Sequence, residues 1–259
     1  MIPLLLRFAG SLLLALPVVA LSQAATSSRR TPVLVELFTS EGCSSCPPAD
    51  KLLAALDREQ PVANAQIIVL EEHVDYWDRG GWHDRFSSSQ FTERQNFYAP
   101  RLKFDDPYTP QMIVDGQFQF VGNDPSKAIT SISKALGTPK INLTLATPAI
   151  DGRRIAASVS ATETSALPRG DLYAALVTPS ASTEVKSGEN GGKHLNHVSV
   201  VRSFRRIAGL QNLAQGPVSF SINAPSDEDP AHMRLIVFAQ LPNQGAIRGV
   251  AQTETAPNP

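Results

Sequence analysis

Cysteine is almost missing from this chain: two occur in 259 residues, three positions apart, as Cys43 and Cys46. That excludes a multi-disulfide framework, and it excludes a zinc site made of thiolates alone, which needs four ligands. An excess of one charge is missing too. Lys and Arg number 23 against 24 Asp and Glu, a formal net charge of -1 with the signs interspersed. Such a balance gives no electrostatic footprint for nucleic acid. The short basic clusters Arg29-Arg30 and Arg202 to Arg206 read as solvated faces. After Leu21 no stretch is apolar enough to span a bilayer, which takes about 20 residues. No internal repeat, no phosphate-cradling glycine loop and no Ser-His-Asp arrangement stands out.

What is present starts with Arg7, the apolar run Phe8 to Leu21 and the small-x-small triplet Ser22-Gln23-Ala24. This is the pattern of a secretory signal. Residues 1–24 are expected to be removed, leaving a periplasmic or secreted protein with no membrane association; a retained N-terminal anchor is the alternative. Roughly 235 residues then remain, enough for two modest domains or one large one.

In an oxidising compartment a disulfide persists. A loop as short as Cys43-Ser44-Ser45-Cys46 removes little unfolded-state entropy, so redox chemistry comes before a structural staple. The surrounding pattern supports this. Val33 to Phe38 reads as a buried strand, and Pro47 to Leu56 as a helix with proline in its first turn. Gln66 to Leu70 is a second strand, and Ser88 or Ser89 caps a helix that Pro100 should end. Runs on either side of Asp115-Gly116 predict a hairpin, and Asp124-Pro125 opens a last helix closed by Gly137. Strand-helix-strand-helix-hairpin-helix is the thioredoxin order. Beyond it, short alternating segments near 141–145, 154–159, 172–177, 198–201, 218–222 and 235–239 suggest an all-β sandwich. The expected fold is therefore an α/β thioredoxin-like domain over 31–137, then an all-β sandwich-like domain over 140–254.

Placed at a helix N-terminus, Cys43 gains thiolate character and would attack a partner, and Cys46 would resolve the mixed disulfide. Cys43 should be the more exposed of the two. The third strand starts at Thr109-Pro110, at the sheet edge that carries the cysteines, and a cis peptide is expected there. Glu36, inside an apolar strand, could exchange a proton with Cys46 if buried, or else point outward or pair locally. His73, Asp75, Trp77 and Trp82 follow the second strand and offer a lid or a partner-binding wall, against the plainer reading of a loop packed on the sheet. His194 and His197 suggest a metal. Strand residues three apart face opposite ways and no third ligand is evident, so surface or loop histidines are expected and no metal site is assigned. The polar, glycine-rich segment 186–197 could fold back over the cysteine pair.

Taken together, these residues resemble a known family. Phe38-Thr39-Ser40-Glu41-Gly42-Cys43-Ser44-Ser45-Cys46-Pro47-Pro48-Ala49-Asp50 is similar to the signature of the bacterial DUF1223 proteins. The likeness continues through His73 to Asp78, Gly81-Trp82, Phe91 to Gln95, Tyr108 to Gly116, Gly188-Glu189-Asn190 and His197 to Arg202. It implies a secreted thioredoxin-like fold with an appended β domain, and no particular reaction. Against the familiar thioredoxins two departures stand out. The dipeptide between the cysteines is Ser-Ser, and Glu36 lies one residue too far from Cys43 to match their buried acid.

The leading expectation is a thiol-disulfide oxidoreductase acting on protein or peptide thiols and disulfides, with no cofactor. A non-catalytic binding module with a structural disulfide is the second, using residues 73 to 86 as its surface. Capture of a soft metal such as Cu(I) by the thiolate pair is the third.

Overall fold

The computed structural model describes residues 30–255, so the expected export signal lies outside the described residues. The first strand, β1 (Thr31–Thr39), is buried from Val33 onward on both faces. A strand like this needs a layer on each side. One layer comes from α1 (Pro47–Glu59), the crossover to the parallel strand β2 (Ala65–His73). Leu53 and Leu56 of α1 pack on Val33, Val35, Leu37, Ile67 and Val69. Beside them sits α3 (Pro125–Ala135), capped by Asp124, whose carboxylate accepts from the Lys127 amide. The buried face of α3 is Ala128, Ser131, Ile132 and Ala135, while Ile129 is partly exposed.

Covering the opposite face is α2 (Ser89–Leu102), through Phe91 and Tyr98 against Leu34, Phe38, Ile68 and Leu70. Ser88 caps α2, but the helix runs past Pro100. A proline so near the C-terminus forfeits one amide bond. The last turn still closes, because Lys103 in the left-handed region donates its amide to the Ala99 carbonyl. The hairpin of β3 (Gln111–Val114) and β4 (Phe118–Val121) turns at Asp115 and Gly116, with φ of 50° and 63°. Gly116 is needed twice over, since a Cβ there would lie 2.7 Å from the Gly245 carbonyl oxygen.

The second half adds β5 (Leu143–Leu145), β6 (Ala149–Asp151), β7 (Arg154–Ala161), β8 (Asp171–Glu184) and β9 (His194–Gly209), followed by β10 (Val218–Asn223), β11 (Arg234–Gln240) and β12 (Ile247–Glu254). The fold is mixed α/β. One eight-stranded sheet runs β12-β11-β8-β9-β2-β1-β3-β4, crossing the 137–140 line where β9 meets β2 in parallel at Val200 and Glu71. A smaller sheet, β10-β7-β5 with β6 on β7, packs Leu143, Ile155 and Val159 onto Leu172, Leu176, Leu235 and Val237.

β8 and β9 run to 14 and 16 residues, well beyond their apolar centres. Their outer parts form a hairpin ribbon whose tip, 185–193, reaches the cysteine pair. Among the described residues no helix is long and apolar enough to cross a membrane.

Candidate functional site

At the end of β1 the chain turns sharply. Cys43 donates its amide to the Ser40 carbonyl, and Gly42 donates to Ser40 Oγ. No larger residue fits at 42 without displacement, since a Cβ would lie 3.1 Å from Trp77 Cβ and 3.3 Å from its carbonyl oxygen. Cys46 then caps α1, its carbonyl accepting from the Ala49 and Asp50 amides. Cys43 and Cys46 form a disulfide with Cα atoms 5.4 Å apart. The helix N-terminus puts positive potential at the pair.

Both cysteines are fully buried, and Cys43 is no more exposed than Cys46. The tip of the β8–β9 hairpin covers them, so segment 186–197 does fold back over the pair. Asn190 Nδ2 donates to the carbonyls of Glu41 (2.8 Å) and Cys43 (2.9 Å), and the Ser44 amide donates to the Glu189 carboxylate at 3.1 Å. The bonds from Ser44 hold the exposed Glu189 carboxyl below its usual range. Inside the tip, Val185 and Gly192 donate their amides to the Lys193 and Val185 carbonyls, and Lys193 Nζ donates to Asn190 Oδ1. Ser187 Oγ reaches the Gly81 carbonyl at 2.6 Å, joining the tip to the loop after β2.

That loop supplies the other wall. Trp77 Nε1 donates to Thr109 Oγ1, and Trp82 Nε1 to Glu41 Oε2, each at 2.7 Å. Thr109-Pro110 is cis, and Pro110 is buried one residue before the Phe38–Gln111 pair. Pro110 therefore sits level with Thr39, at the edge where the cysteine turn begins. Asp75 accepts from Thr92 Oγ1 at 2.6 Å and ties the loop to α2 instead of facing outward. His73 is wholly buried and offers no surface to a partner.

Glu36 is buried, but toward α2, on the sheet face away from α1. Its carboxylate accepts from Arg94 Nε and from Tyr98 OH, both at 2.7 Å, and Arg94 and Tyr98 also bond Gln240 of β11. Glu36 is thus paired locally. Burial and the neighbouring Glu36 push Glu72 well above the usual carboxylate range.

The buried acid on the cysteine side is Asp50, one helical turn after Cys46. Its carboxylate accepts from Thr39 Oγ1 at 2.7 Å. Burial, with Glu71 adding to it, lifts Asp50 to about 7 against the opposing pull of His197, Thr39 and His73.

His197 is buried, contrary to the expectation of a surface histidine, while His194 is exposed. His197 Nδ1 bonds Glu71 Oε1 at 2.7 Å, and Glu71 Oε2 accepts from the Val198 amide. His73 Nδ1 bonds Asp84 at 2.6 Å. Burial alone would raise Asp84, but His73 and the amides of Glu41 and Phe86 hold it at about 2. The third partner missing from the His194/His197 reading is on β2, more than 100 residues away in sequence, where no local spacing reveals it. Asp50 was the more legible omission, at the (i, i+4) position from Cys46 on a helix read correctly.

Among known proteins, a family model described as "Protein of unknown function (DUF1223)" matches residues 34–240. No curated protein matches the chain. The crystal structure of protein AGR_C_4864 from Agrobacterium tumefaciens is similar in fold, with a TM-score of 0.67 at 22% identity, covering 89% of this chain and 97% of that one. HBP35 of Porphyromonas gingivalis aligns with a TM-score of 0.60 at 17% identity, over 87% of this chain and 75% of its own.

Proposed function

The chain belongs to the DUF1223 family, and from that premise and the geometry of the cysteine turn we propose a periplasmic or secreted thiol-disulfide exchange protein. Its first half is read as thioredoxin-like and its second as a sandwich-like β module that supplies the cover. The observation that carries this reading is the placement of the Cys43–Cys46 disulfide. It lies at the N-terminus of α1, at the end of the buried strand β1, level with cis Pro110 and one turn from the buried acid Asp50.

In the reduced protein, Cys43 thiolate attacks one sulfur of a protein or peptide disulfide and releases the other as a thiolate. Cys46 gives its proton to Asp50 and attacks Cys43 Sγ, expelling the second substrate thiolate. Two electrons leave the cysteine pair, and the covered disulfide is restored. Because both sulfurs are buried, the 185–193 tip must lift before a substrate reaches Cys43. Thr109, Trp77 and Trp82 then line the opened edge.

A second reading, a binding module with a structural disulfide, is favoured by the same complete burial of the pair. Equilibration with glutathione separates the two. A potential above about -230 mV, with a Cys43 thiolate at neutral pH, places the protein among exchange catalysts. A potential below about -300 mV with an unreactive thiol makes the disulfide structural.

A further inference from the structure

Beneath the cysteine turn, on the α1 side of the sheet, β2 and β9 bring together Glu71, His73 and His197, all buried. One donor atom from each lies within 4.8 Å of the others. We propose that these three residues form a binding site for a divalent metal ion of the zinc class, through Glu71 Oε1, His73 Nε2 and His197 Nδ1. Imidazole nitrogen with carboxylate oxygen is the donor set that suits zinc.

Three observations carry the assignment. First, His73 Nε2, which faces Glu71, is buried without any hydrogen-bond partner. Buried polar atoms are nearly always satisfied, so an orphan inside this cluster asks for a ligand. Second, the other nitrogen of the His73 ring is held by a carboxylate, its Nδ1 bonding Asp84 at 2.6 Å. That anchoring fixes the ring with its Nε2 turned toward Glu71, the outer-shell arrangement of metal-bound histidine. Third, the spacings are close to those of a coordination shell. His73 Nε2 lies 3.6 Å from Glu71 Oε1, and His197 Nδ1 lies 2.7 Å from the same oxygen in a hydrogen bond that the ion would replace. Ligands around a tetrahedral ion with bonds of about 2.0–2.1 Å are about 3.4 Å apart. Phe86 packs edge-on against both imidazoles, at 5.3 and 6.0 Å between centroids, and keeps the cluster dry.

The site does not depend on the exchange reading, because no thiolate takes part. The test therefore uses the full mature chain with its disulfide intact, unfolded in urea and refolded with Zn2+ or Co2+ so that burial does not block entry. One equivalent of Zn2+ should survive gel filtration, and the Co2+ form should show the visible d–d bands of four-coordinate nitrogen and oxygen ligation. His73→Gln and His197→Gln should each abolish both signals. Asp84→Asn, which disturbs only the outer shell, should weaken binding by roughly 10- to 100-fold. His232→Gln, at an exposed histidine, should change nothing. A wild-type protein that refolds without stoichiometric metal or d–d bands overturns the proposal whatever the variants do. Binding that persists in His73→Gln and His197→Gln, or that is lost in His232→Gln, also overturns it.

Discussion

At the scale of single residues, two buried carboxylates on opposite faces of β1 behave differently because of what faces them. Asp50 has Thr39 as its hydrogen-bond donor, with Glu71, His73 and His197 around it, and its folded pKa of about 7 stands well above the unfolded value. The folded state then holds a proton that the unfolded state has released, so this group's contribution is full below about pH 4 and is lost as pH rises to about 7. The slope it adds is at most about 1.4 kcal/mol per pH unit. In chelator-treated protein, Asp50→Asn should flatten urea-derived stability over that window, and an unchanged slope would reject the assignment. Glu36 faces Arg94 and Tyr98 instead. Glu36→Gln should cost about 3–5 kcal/mol, because it strips the buried Arg94 of its counter-charge. It should leave the pH dependence of Cys43 reactivity unchanged, as measured by thiol alkylation of the reduced protein. A shifted profile would bring Glu36 back as the proton acceptor.

At the scale of elements, the β8–β9 hairpin decides access to the disulfide. Its tip rests on the cysteine turn by the two bonds of Asn190 and the single bond accepted by Glu189. Removing the Asn190 amide leaves the Glu41 carbonyl without its partner, while the Cys43 carbonyl keeps only the Cys46 amide, at a cost of about 1–3 kcal/mol. Asn190→Ala should therefore speed reduction of the disulfide by dithiothreitol by about 10-fold or more. Glu189→Gln, which weakens an exposed contact, should give less than about 5-fold. Equal reduction rates in wild type and Asn190→Ala would mean that the tip does not gate the disulfide. Gly42 works at the same scale from below, where its bare Cα lets the Trp77 loop close against the turn.

For the whole molecule, the two halves are joined by more than the chain. β9 pairs with β2, Arg94 bonds Glu36 on one side and Gln240 on the other, and Asp115 is paired with Lys140 and donates no surface of its own. The Ile247 amide also closes on the Asp115 carbonyl at 2.8 Å. Such shared core and hydrogen bonding should make unfolding one cooperative event. Tryptophan fluorescence, which reports only the first half through Trp77 and Trp82, should track far-UV circular dichroism through one urea transition. Two separated midpoints would show that the halves unfold independently.

Much of the first half was legible because its signals are local. Apolar runs marked β1 and β2, Pro47 and Asp124 marked helix starts, and Asp115-Gly116 marked the hairpin, since each depends on a few adjacent residues. The cysteine spacing and the family resemblance were local as well. The second half was legible only at its apolar centres. The polar arms of β8 and β9, like the short β6 and the terminal β12, gain their order from cross-strand pairing that no single segment displays. The tertiary structure alone decided which face Glu36 takes, that Cys43 is covered, and that His197 meets Glu71 and His73. Each of these depends on strand neighbours far apart in sequence, and sheet order is set by long-range packing that residue spacing does not encode.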